Sequence, residues 1–149
     1  MNTIRRRARE WAVQMLAAAD LNPGDPPETL VEKFWAQLTT LDDEDGGVGG
    51  KLPRGRVRKF AESRVIGVLQ NLAEIDAAIS KFLAESGWDI DRLGTVERAV
   101  LRIGIWEIAN TDVPVGVVMN EAIDICNWFS TPRSRSIVNG VLDRYAKSR

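Results

Sequence analysis

Apolar side chains recur every three or four positions along most of the chain, which is the spacing of one face of an α-helix. Ile4, Ala8, Trp11 and Met15, with Ala12 and Leu16 beside them, place a first helix over Ile4 to Asp20, with Thr3 as its N-cap. The turn-forming run Asn22-Pro23-Gly24-Asp25-Pro26-Pro27 stops it. Pro27 suits the first turn of a second helix, running to about Leu38 with Leu30, Val31, Phe34, Trp35 and Leu38 as its buried side. Over residues 39–53 the pattern breaks. Asp42-Asp43-Glu44-Asp45 is acidic and Gly46-Gly47-Val48-Gly49-Gly50 is glycine-rich. No strand precedes the glycines and no Lys-Ser/Thr completes a phosphate loop. The stretch reads as a flexible surface loop between two helical halves.

The helical period resumes from about Arg54 to Leu72 through Val57, Phe60, Ala61, Val65, Val68 and Leu72, with the stem of Arg64 at the margin. Ile75, Ala78, Ile79, Phe82 and Leu83 carry it on to a stop at Ser86-Gly87, and Trp88 and Ile90 lie in the connection that follows. From Val96 to Asn110 apolar residues cover much of the helix circumference, so this helix is expected at the centre. Asp112-Val113-Pro114 ends it. Val118, Ala122, Ile125 and Phe129 mark one side of the next helix, Val115 to Phe129. Ser130-Thr131-Pro132 opens the last, in which Ile137, Val138, Val141, Leu142 and Tyr145 face inward. Strand alternation is absent, and the β-branched run Val115 to Val118 leads straight into helical spacing. The class is all-α, with about seven helices.

With 149 residues the chain is expected to form a single domain over 1–149, interrupted by the loop at about 39–53. Its composition narrows the chemistry further. There is no histidine, which excludes a Ser-His-Asp or Cys-His catalytic device and a Cys/His zinc site. The lone Cys126 cannot form an internal disulfide and reads as a small buried hydrophobe. Glu97 and Glu107 lie ten residues apart in one helix, about 15 Å along its axis, too far for a paired acid–base site. Neither catalysis, nor a metal, nor a cofactor is expected. No apolar run approaches the roughly 20 residues of a membrane span. Trp11 to Leu16 is broken by Gln14, so the basic start does not lead into a signal peptide, and a cytoplasmic location is expected.

The net charge of −1 conceals segregation. Residues 1–19 carry a net +3, 20–50 a net −7, 51–64 a net +5, 65–132 a net −6 and 133–149 a net +4. Basic blocks that meet in the fold would make a positive face on a nearly neutral molecule; blocks that do not are ordinary solvated helix faces.

Three stretches, in this order, resemble one family. They are Arg5-Arg6-Arg7-Ala8-Arg9-Glu10-Trp11-Ala12-Val13-Gln14-Met15-Leu16; then Leu93-Gly94-Thr95-Val96-Glu97-Arg98-Ala99-Val100-Leu101-Arg102-Ile103 with Trp106-Glu107-Ile108; then Asn120-Glu121-Ala122-Ile123-Asp124 with Val138-Asn139-Gly140-Val141-Leu142-Asp143. The set is similar to the NusB family of bacterial transcription antitermination factors. That resemblance implies two helical subdomains and a factor without catalysis. It implies binding of boxA-type, single-stranded RNA of ribosomal RNA operons, together with NusE, a small-subunit ribosomal protein. The pair supports readthrough by RNA polymerase in an antitermination complex, and family members occur as monomer or homodimer. The residues leave a second reading open: a protein–protein adaptor with this fold that has lost RNA binding.

For RNA, the resemblance points to Arg5, Arg6, Arg7 and Arg9 with Arg133 and Arg135. On a helix Arg5 and Arg9 share a face, Arg6 lies beside it and Arg7 points elsewhere. Guanidiniums offer paired hydrogen bonds to phosphate and flat faces to bases. Cations at a helix start oppose the macrodipole, so such a cluster is locally unfavourable and calls for another use. For NusE, Glu97 is carried over as a contact, with Asp91 close before it. Glu97 also stabilises a helix start simply by its charge.

Two departures from the family pattern stand out. Ser130-Thr131-Pro132-Arg133-Ser134-Arg135-Ser136-Ile137 has Arg133 where the family often has an acid and Ile137 where it has an aromatic. The acidic, glycine-rich segment at 42–50 is the second. Trp11, Trp35, Trp106, Trp128 and Phe129 fall mainly on stripes that read as core. Gly140 costs the last helix about 1 kcal/mol, and close helix packing is the expected reason.

Overall fold

The computed structural model describes residues 2–20, 24–45 and 52–149. Among them are seven α-helices: α1 (Asn2–Asp20), α2 (Pro27–Asp45), α3 (Gly55–Gln70), α4 (Leu72–Glu85), α5 (Thr95–Asn110), α6 (Val115–Phe129) and α7 (Pro132–Lys147). A short 3-10 turn, Ile90–Arg92, precedes α5. No described residue is in a strand, as the periodicity requires. No helix among the described residues is long and apolar enough to cross a membrane. The helices form two compact units, Met1–Ile66 and Gly67–Arg149, and the boundary falls inside α3.

Two helix boundaries differ from expectation. Thr3 lies within α1 rather than capping it. α2 continues through Asp45, so residues 39–45 of the expected loop are helical; positions 46–51 lie outside the described residues. The reason is local. Thr39 donates its hydroxyl to the Trp35 carbonyl one turn back (2.9 Å), and no glycine or proline interrupts the chain before Gly46. Acidic residues in a last helical turn oppose the macrodipole, but only by a few tenths of a kcal/mol each.

The first unit is built on aromatic contacts. Trp11 of α1 meets Phe34 and Trp35 of α2 with ring centroids 6.2 and 5.5 Å apart, and Phe34 meets Trp35 at 5.3 Å. Pairs of this kind contribute about 0.5–1.5 kcal/mol beyond their buried area. Trp35 is buried, and its indole N–H donates to Glu62 of α3 (3.1 Å), which satisfies the polar end of an otherwise apolar ring. Ala8, Ala12, Leu16, Val31, Ala61 and Val65, drawn from all three helices, are buried.

The second unit wraps α4, α6 and α7 around α5, in which every residue from Ala99 to Ile105 is buried. The apolar coverage of this helix in the sequence anticipates that position. α3 and α4 part at Asn71, whose side-chain amide donates to the Gly67 carbonyl (2.8 Å). Arg102 on α5 is buried and donates twice to the Asp76 carboxylate on α4, each bond 2.9 Å. Arg144 on α7 donates to the Phe82 carbonyl and the Ser86 hydroxyl, both 2.9 Å, and pairs with Glu85 at 3.1 Å. It thereby occupies a carbonyl that the end of α4 leaves without a helical partner.

The close-packing glycines are not the expected one. A Cβ at Gly140 would meet the Arg144 guanidinium of its own helix at 3.3 Å, not a neighbouring helix. Gly140 thus leaves room for the arginine that clamps α4. Close approach occurs instead at Gly67, where a Cβ would collide with the Trp106 indole, and at Gly104, where it would lie 2.7 Å from Leu142. Leu142 is fully buried and has nowhere to go. Gly104→Ala is therefore expected to destabilise the protein, overpacking outweighing the helix-propensity gain of about 1 kcal/mol. Gly140→Ala is expected to be the more stable of the two variants in urea unfolding. The reverse order would remove Leu142 as the reason for Gly104.

Candidate nucleic-acid interface

α1 opens with four arginines in five positions, and the structure sorts them by exposure. Arg5 and Arg7 are exposed and Arg6 is half-buried. Arg9 departs from the expected shared face with Arg5. It is 4% exposed, and its guanidinium lies 5.1 Å from the centre of the Phe60 ring of α3. Arg64, also buried, lies against the same ring at 3.6 Å. A desolvated guanidinium over an aromatic face gains about 2 kcal/mol. The one-face geometry of Arg5 and Arg9 holds for an isolated helix; here Phe60 claims the second position.

Arg7 looks toward the start of α3. Together with Ile4, Trp11, Pro53 and Val57 it lines an open cleft of about 150 Å³. Arg54 and Arg56, neighbours of Pro53 and Val57 in the chain, are exposed. Two basic blocks that are far apart in sequence, 1–19 and 51–64, thus meet within the first unit. Arg58 of the same block is engaged, over the Trp35 ring at 5.0 Å and 3.5 Å from Glu62. Arg54 and Arg56 were not among the candidates from sequence. Their signal is the +5 charge of their block, and what brings that block to α1 is the approach of Pro53 and Val57 to Arg7.

The other two candidate arginines lie in the second unit, where α6 turns into α7. Thr131 caps α7, accepting a hydrogen bond from the Ser134 amide (3.2 Å), as its place before Pro132 anticipates. Arg133 is exposed and lies 5.5 Å from the Trp88 ring centre, and Arg92 lies 5.2 Å from the same ring. Arg135 is half-buried and donates to the Ser130 carbonyl (3.2 Å). Trp128 does not belong to the core: it is 81% exposed. The side chain of Phe129 lies outside the described ones.

Glu97 is not the exposed residue its place at a helix start implies. It is 9% exposed, and its carboxylate lies over Gly94, where a Cβ would collide with Oε1. A glutamate in the first turn that folds back over the N-cap residue stabilises the helix start. Asp91 is exposed; its backbone amide donates to the Asp89 carboxylate (2.9 Å). Cys126 is fully buried, and burial pushes its thiol pKa up, so it stays protonated at neutral pH. No group of three or more His, Cys, Asp or Glu side chains suited to a metal ion occurs among the described residues. The surfaces therefore offer guanidiniums, a half-apolar cleft and an exposed indole. These are groups that hold phosphates and flat rings.

The NusB family model matches residues 6–147. The transcription antitermination protein NusB of Sorangium cellulosum is 36% identical over 145 residues, which cover 97% of this chain and 92% of that protein. The fold is similar to that of T. maritima NusB, with a TM-score of 0.74 and 29% identity over 97% of this chain and 92% of the other. It is also similar to a chain in a structure of antitermination factors NusB and NusE in complex with dsRNA, with a TM-score of 0.72, 26% identity and full coverage of both chains. The chain belongs to the NusB family.

Proposed function

We propose that this protein is a non-catalytic transcription antitermination factor. It binds boxA-type RNA of ribosomal RNA operons together with NusE and supports readthrough by RNA polymerase. The observation that carries the reading is the meeting of two basic helix starts around the α1–α3 cleft. Arg7 lines that cleft, Arg54 and Arg56 flank its lining residues Pro53 and Val57 in the chain, and Arg5, Arg7, Arg54 and Arg56 are all exposed on a protein of net charge −1. A neutral protein gains nothing in solubility from gathering like charges, whereas a polyanion rewards it. The similar NusB–NusE–dsRNA complex supports the choice of RNA and NusE as partners.

The residues divide into roles. Arg5, Arg6 and Arg7, with Arg54 and Arg56, hold phosphates in the first unit. In the second unit, considered by itself, Arg133 and Arg135 are the RNA contacts. Arg9 acts through packing on Phe60, which fixes α3 against α1. Asp91 offers an exposed carboxylate to NusE, and Glu97 sets the start of α5 just behind it.

The test is a titration of single-stranded boxA-like RNA across salt concentrations. Affinity should fall linearly on a log–log plot, with a slope of about −0.7 for each phosphate contact. Retained NusE binding with no RNA binding at any salt would replace this reading with the adaptor.

A further inference from the structure

Trp128 is the most exposed large apolar side chain among the described residues, at 81%. Indoles bury more area than any other side chain when they pack, and leaving one in water forgoes that gain. Its surroundings are not those of a protein-docking patch. The other exposed apolar residues of α6, Val115 and Val117, lie at the opposite end of the helix. Eleven residues separate Val117 from Trp128, about 16 Å at 1.5 Å per residue. Asp124 lies one turn before Trp128, and Asn127 beside it is exposed. Protein interfaces centre on contiguous apolar surface; among the described side chains, no second exposed large apolar residue lies at this end of α6.

What the corner does provide is cations and ring faces. Arg135 is held at the α6 end through Ser130, and Arg133 begins α7 four positions after Phe129. Arg133 and Arg92 both lie against the Trp88 ring, so guanidinium–indole contact is already in use in this unit. Exposed aromatic rings beside arginines are the means by which proteins hold unpaired bases: the ring stacks on the base, and the guanidiniums meet the flanking phosphates.

We infer that Trp128 is a base-stacking residue, which takes one unpaired base of a single-stranded RNA at the α6–α7 corner. The inference rests on the RNA-binding reading above and adds to it a contact that is not electrostatic. Every base has a π-face, so the contact favours single-stranded over double-stranded RNA without itself choosing a sequence.

The experiment compares the parent protein with Trp128→Ala and Trp128→Phe on one oligoribonucleotide, single-stranded and annealed to its complement. Because the indole is exposed, both variants should keep the parent's unfolding midpoint. Trp128→Ala is expected to weaken single-strand binding about five- to a hundredfold, the range of one lost stack. The salt slope should not change, since no phosphate contact is lost. Trp128→Phe should recover most of the loss, and duplex affinity should not move. Unchanged single-strand binding by Trp128→Ala would overturn the inference. So would equal losses on single strand and duplex, or a loss confined to NusE binding, which would make the residue a protein contact. A parent protein that binds neither RNA fails at the earlier step, and removes the RNA-binding reading itself.

Discussion

Alanine at Arg5, Arg7, Arg54 and Arg56 together is expected to lower single-strand RNA affinity by about two to three orders of magnitude at 0.1 M salt. Each lost phosphate contact removes about 0.7 from the log–log salt slope, so four contacts account for a fall of nearly three. All four side chains are exposed, and the variant should unfold at the parent's midpoint within about 1 kcal/mol. Lys33→Ala serves as the control. Lys33 is exposed but paired with Asp25 at 2.8 Å, and it belongs to α2 rather than to either basic helix start. Its loss should leave the slope in place. The pair Arg54→Ala and Arg56→Ala carries the sharper question, because these two residues are supplied by the tertiary approach of α3 to α1. A slope that changes with Arg5 and Arg7 alone would confine the site to α1.

The second large effect is on stability. Asp76→Ala removes both hydrogen bonds that Asp76 accepts from the buried Arg102 guanidinium. The Arg102 side chain is 9% exposed and that of Asp76 30%. Breaking a buried pair from one side costs more than the pair contributes, because a charge stays behind in a poorly solvated place. The carboxylate's partial exposure puts the cost near the low end of that range, about 3 kcal/mol. For a chain of this length that lowers the midpoint of thermal unfolding by about 6–12 °C. Arg102→Met should cost less, since it fills the site with an apolar chain and leaves Asp76 partly in water. Calorimetry on the two variants checks the order. A larger loss for Arg102→Met would mean that its packing, not the stranded charge, dominates.

Much of this architecture is legible along the chain, and the exceptions share a cause. Thr131-Pro132 marks the start of α7 because a hydroxyl cap and a proline at the first turn are local chemistry. α5 is recognisable as the central helix because apolar residues cover much of its circumference. The end of α2 was not legible. The acidic run after Leu41 is a weak breaker, and the first strong one is Gly46. Helix spacing places Arg9 on one face with Arg5, and only the position of Phe60 on another helix turns it inward. Trp128 reads as core when grouped with the other aromatics on their stripes, although it lies about 100° around α6 from Phe129, off the stripe of Val118, Ala122 and Ile125. Gly140 and Gly104 both read as helix glycines, and their neighbours in space alone distinguish them. In the candidate site the arginines of α1 were visible as a cluster. The contribution of the α3 start was visible only as charge, since a sequence shows blocks but not their meeting.

The proposed recognition of RNA jointly with NusE is decided by one matrix of affinities at near-physiological salt: boxA-like RNA and a scrambled RNA of equal length, each with and without NusE. Phosphate contacts and one stacked base position RNA without encoding much sequence. The protein alone should therefore bind both RNAs with modest affinity and a small preference. With NusE present, affinity for the boxA-like RNA and its margin over the scrambled one should rise together. A preference of several orders of magnitude by the protein alone, unchanged by NusE, would contradict the account.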